Sequence, residues 1–128
     1  MSSHSQALLD QATEQLRHAQ TALEAGQYGA CHKTAYQASG TIAAFYMTRV
    51  DNAPASPSAE TFQKFVDHIW DSGTTPAEEY DINDIVGIVI ALREIHEWSI
   101  LDEITKPEAE LMLDRVREMF ELVRRTLK

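Results

Sequence analysis

The stretch LEAGQYGACHKTAYQASGTIAAFY, residues 23–46, places a glycine ahead of a run of small and aromatic residues that recur at helical spacing. Tyr28, Cys31, Ala35, Ala38, Ile42 and Phe45 follow steps of three and four, so they form one apolar seam on a helix. The alanines in that seam let a neighbouring helix come close. Upstream, Leu9, Ala12, Leu16, Ala19 and Leu23 keep the same alternation with polar residues between them. They predict a first helix over residues 6–25, with Ser3 and Gln6 as a capping box and Gly26 as its terminator. Two long helices joined by so short a corner must lie antiparallel, each seam against the other.

The second helix is expected to run to about Val50 and to break in DNAPASPS, residues 51–58, where two prolines and small polar residues predict a mobile loop. Ser56 or Ser58 can cap a third helix that carries Phe62, Phe65, Val66, Ile69 and Trp70 on one side. A second loop, DSGTTPAEEYD at 71–81, leads to a fourth helix over 82–99, whose segment IVGIVIAL is apolar on nearly every face. Gly87 within it suggests a close backbone approach. Thr105 and Glu108 form a capping box around Pro107 and open a last helix. Its stripe is Ala109, Met112, Val116, Phe120, Val123 and Leu127, widened by Leu113, and its cationic end suits the helix dipole. The fold class is all-α: a five-helix up-and-down bundle in a single domain spanning residues 1–128, with a long N-terminal antiparallel helical hairpin.

The 128 residues are enough to bury a core without staples. Cys31 is the only cysteine, so no intramolecular disulfide forms, and its place in the seam implies a buried thiol. No leader-like segment opens the sequence, and the apolar run 85–92 is far too short to span a bilayer, so a cytoplasmic protein without membrane attachment is expected. The net charge is −9, and residues 71–103 hold nine acids against one cation, Arg93. Such a surface repels a nucleic-acid backbone, and nonspecific nucleic-acid binding is disfavoured.

Taken together, the pattern resembles the HEPN family (higher eukaryotes and prokaryotes nucleotide-binding) of small helical bundles. The resemblance rests on Ala25-Gly26-x-Tyr28 at the hairpin corner and on Ala35-Tyr36-x-Ala38 and Ala43-Ala44 in the second helix. It extends to Leu92-Arg93-x-x-His96-x-Trp98 in a later helix and to Pro107 opening the last one. Many members are metal-independent ribonucleases, often toxins of toxin–antitoxin pairs, in which an Arg and a His four to six residues beyond it meet their counterparts across a homodimer. Others are inactive partners of nucleotidyltransferases or binding modules. With Arg93 as the family's Arg, the His would fall at positions occupied here by Trp98, Ser99 or Ile100, so this sequence departs from the catalytic motif.

Arg93 and His96 are three apart and neighbours on a helix, which makes them the candidate catalytic pair for metal-free RNA cleavage. Their structural alternative is an Arg93–Glu97 pair and a packed imidazole. His32 and Tyr36, four apart, are the polar pair of the hairpin, and with Trp98 they are the candidates for ligand or partner binding. His18, His32, His68 and His96 fall on four separate helices without metal-ligand spacing, and no glycine-rich phosphate loop occurs, so neither metal nor cofactor is expected. The residues read best as a noncatalytic interaction or binding module. Homodimerisation follows partly from the resemblance and partly from the very apolar fourth helix, and a nucleotidyltransferase is a further partner that the resemblance implies.

Overall fold

The computed structural model describes residues 3–72 and 103–127. Among them are four helices, α1 (Ser3–Glu24), α2 (Tyr28–Asp51), α3 (Ala59–Ser72) and α4 (Lys106–Thr126), and no strand. The loop and helix expected between residue 73 and residue 99, with Gly87, lie outside the described residues. None of the described helices is long and apolar enough to cross a membrane.

The hairpin corner forms as its glycine requires. Gly26 takes φ 76°, a left-handed conformation that costs a residue with a Cβ about 1–2 kcal/mol. The turn also satisfies two carbonyls that the end of α1 would otherwise leave open: Gln27 N–H donates to Ala22 O at 2.8 Å and Gly26 N–H to Leu23 O at 3.1 Å. Only Ala25, Gly26 and Gln27 separate the two helices, so α2 folds straight back along α1. The start of α1 differs from expectation. The helix already includes Ser3, and the Gln6 amide reaches forward to Asp10 Oδ1 at 2.9 Å instead of back to a cap.

Ser5, Leu8, Ala12, Leu16 and Ala19 are the buried stripe of α1, with Leu9 and Leu23 half-buried at its margin. In α2 the seam Cys31, Ala35, Ala38, Ile42 and Phe45 is buried as its spacing predicts. The helix then goes further, for every residue from Thr41 to Thr48 is buried. Eight consecutive buried positions cover more than two helical turns, so this part of α2 is enclosed on all faces and is the central rod of the bundle. Asn52 closes it in the left-handed region, at φ 51° and ψ 38°.

The break after α2, expected to be mobile, is tied down at Ala55. His4 Nε2–H donates to Ala55 O at 2.7 Å, and Ala55 N–H donates to Thr48 Oγ1 at 3.0 Å. Of the two serines able to cap α3, Ser58 does so, accepting from Thr61 N–H at 3.0 Å. Phe65 and Ile69 are then buried, and Tyr46 meets the Phe65 ring edge-on at 5.1 Å.

Thr105 caps α4, accepting from Glu108 N–H at 3.4 Å and donating to Glu108 Oε1 at 2.9 Å. The predicted α4 stripe is buried from Ala109 to Val123, and Met119 and Leu122 broaden it. Arg117 Nη2 donates to Gln20 Oε1 at 2.7 Å and links α4 to α1 across the surface. The exposed ion pairs, such as Arg17–Glu14 and Arg115–Glu118, run within single helices and add only a few tenths of a kcal/mol each.

Two glycines of the hairpin, Gly26 and Gly40, respond oppositely to alanine. Gly26→Ala places a Cβ in the left-handed corner and lowers stability by about 1–2 kcal/mol. Gly40, inside α2, has nothing within 4 Å of where a Cβ would stand, so Gly40→Ala raises stability by about 0.5–1 kcal/mol through helix propensity. Urea midpoints of the two variants against the parent chain check both signs.

Candidate functional site

A cleft of about 560 Å³ opens where α1, α2 and the start of α3 meet. α2 supplies one wall through Tyr36, Gln37 and the run Ser39-Gly40-Thr41, in which Gly40 leaves the backbone uncovered. Pro57, Ser58 and Ala59 form the rim at the entrance to α3, followed by Phe62 and Gln63 one turn on, and Gln15 enters from α1. The Tyr36 and Phe62 rings lie 6.4 Å apart at 33°, which joins α2 to α3 through one continuous aromatic surface.

The described lining is uncharged. None of the described residues around the cleft carries a carboxylate, imidazole, thiol, amine or guanidinium. Its hydroxyls are largely engaged in holding the helices. Ser39 Oγ donates to Tyr36 O at 2.5 Å, Thr41 Oγ1 donates to Gln37 O at 3.4 Å, and Ser58 Oγ is the α3 cap. Gln63 Nε2 is directed along its own helix to Asp67 Oδ1 at 2.9 Å.

Gln15 is different. Its Oε1 is buried and has no hydrogen-bond partner among the described residues. A buried acceptor left unmatched costs about 1–3 kcal/mol. The arrangement offers shape, aromatic contact and the side-chain amides of Gln15, Gln37 and Gln63.

The residues singled out from sequence fall in different places. Tyr36 is half-buried and lines the cleft, whereas His32, one turn before it, is fully buried in the body of the bundle. Arg93, His96 and Trp98 lie outside the described residues, as does the side chain of Trp70. No group of three metal-ligating side chains comes together among the described residues. Gln15, Gly40 and Phe62 did not stand out in the sequence as site residues. The usable signal was Gly40, a glycine in the middle of a long helix, where it weakens the helix unless it serves close approach or an opening.

A second cleft of about 380 Å³ lies beside Ser3, His4, Thr48, Arg49 and Asn52. His4 is already engaged there with Ala55 O.

Cys31 is fully buried, its Sγ 3.9 Å from Ala109 O. Burial pushes its thiol pKa up, against a weaker opposing pull from Arg117. The raised folded-state value means that this thiol favours the folded chain below the ordinary cysteine range of about 8.5, and that the contribution falls as pH rises through that range. Iodoacetamide at pH 8 should modify Cys31 at least about a hundredfold more slowly in the folded chain than in urea, because alkylation must wait for opening. Equal rates in the two states would contradict the burial. Comparison of the chain with protein-family models, with curated proteins and with solved structures gives no match.

Proposed function

We propose that this chain is a noncatalytic helical binding module, cytoplasmic, homodimeric and HEPN-like in descent. The observation that carries the binding role is the cleft between α1, α2 and α3, whose described lining offers contact and hydrogen bonding and holds no carboxylate, imidazole, thiol, amine or guanidinium. The Gly26 corner, with α1 and α2 folded back on each other, supports the kinship in so far as a helical hairpin of this kind carries the resemblance. The apolar run 85–92 supports a second copy as the partner, since so many consecutive apolar residues require cover. A nucleotidyltransferase would be an alternative partner for the same surface.

Three measurements test this reading. Amide chemical shifts recorded against a library of small neutral fragments should move at Tyr36–Thr41 and Ser58–Gln63, and a library that leaves both stretches unmoved removes the binding role. Light scattering should give twice the 14.4 kDa of one chain at micromolar concentration, and a strict monomer overturns the dimer. Mixed RNA incubated with the protein in EDTA should be cut no faster than with the Arg93→Ala/His96→Ala variant. Cleavage lost in that variant would make the chain a metal-independent ribonuclease.

A further inference from the structure

We propose that the connection between α2 and α3 is a latched strap: His4 holds residues 52–58 down at Ala55, and fraying of the first turn of α1 releases them and frees the rim of the larger cleft. Ala55 is the anchored point of the segment. Its N–H donates to Thr48 Oγ1 at 3.0 Å, its carbonyl accepts from His4 Nε2–H at 2.7 Å, and its methyl packs half-buried against the core. Residues 52–54 and 56–58 on either side are exposed. The two holders of Ala55 are unequal. Thr48 is buried near the end of α2, the enclosed rod of the bundle. His4 stands in the first turn of α1, where backbone N–H groups have no intrahelical acceptor and no acidic residue answers the helix dipole. Helix ends open at far lower free energy than enclosed turns, so the latch gives way on the His4 side. Ser5 and Leu8 are already buried, which confines that opening to Ser3 and His4.

The strap lies between the two clefts. Ala53 and Pro54 line the smaller one beside His4, and Pro57, Ser58 and Ala59 form the rim of the larger. Ser58, three residues past Ala55, is also the cap of α3. Pro57 fixes its own φ and keeps Ser56 extended, so the link is stiff and passes a displacement of Ala55 on to Ser58. The first turn of α1 thereby controls the mouth of a cleft whose lining it does not join. As control over binding, this rests on the reading of the cleft as a binding site; the latch itself is tested without a ligand.

The test is amide hydrogen exchange of the full chain labelled with nitrogen-15. His4→Ala should speed exchange at Ala55 about fivefold. Thr61 and Phe62, whose N–H groups are bonded to Ser58, should accelerate in step with it, while Ala38 and Met112 in the buried rods keep their parental rates. His4→Gln, whose amide nitrogen stands as many bonds from the backbone as Nε2 of histidine, should restore the parental rates. Ser3→Asp, which places a carboxylate at the positive end of α1, should slow exchange at Ala55 about two- to fivefold. An Ala55 rate unchanged in His4→Ala overturns the latch, and acceleration that reaches Ala38 and Met112 equally overturns it as well, because the effect is then one of global stability. Acceleration confined to Ala55 overturns the coupling to the rim. An Ala55 rate unmoved by Ser3→Asp overturns fraying as the release. Failure of neutral fragments to bind removes the binding module and leaves the strap standing.

Discussion

The close approach of α1 to α2 is the contact on which the rest of the bundle depends. Alanine makes it possible: Ala12 and Ala19 on α1, and Ala35, Ala38, Ala43 and Ala44 on α2, are all buried in the same apolar cluster. A helix whose inner surface is alanine can be neared on several sides at once, because the neighbouring backbones meet little more than a methyl group. α2 is enclosed in this way, with α1, α3 and α4 all packed on it. Larger side chains at these positions would separate the rods, at about 1–3 kcal/mol for each overpacked site, and would move every element that uses α2 as its support.

Much of this was legible in the sequence because the signals were local. Gly26 marks the corner by a backbone conformation that few other residues adopt, Ser58 and Thr105 mark helix starts by a side chain bonding three residues ahead, and the three-four spacing in α1, α2 and α4 marks the buried faces. The enclosure of α2 was less legible. Thr41, Ala43, Thr48 and Ser39 are small and tolerate either burial or exposure, so periodicity showed a single seam where the folded chain buries whole turns. The loop at 51–58 read as mobile from its prolines, while the restraint on it comes from His4, some fifty positions earlier, which no local pattern reveals.

The cleft escaped for a related reason. It is assembled from residues 15, 36–41 and 57–63, brought together only by the order in which three helices pack, and its members look ordinary one by one. Gln15 reads as a surface residue of an amphipathic helix, and Gly40 as a neutral small residue. Only their juxtaposition gives an unmatched acceptor beside an uncovered stretch of helix backbone. Both residues break a local rule: a buried polar atom without a partner among the described residues, and a glycine inside a helix.

The uncharged lining of the cleft has a consequence for capture that the overall acidity of the chain conceals. A net charge of −9 sets up a field that repels anions and draws cations from a distance, but it exerts no net pull on a neutral molecule. Arrival of an uncharged molecule at the cleft would therefore be unsteered diffusion, with discrimination beginning only at van der Waals range. Affinity for such a molecule would accordingly stay nearly level from dilute buffer to physiological ionic strength, the same range in which electrostatic recognition weakens.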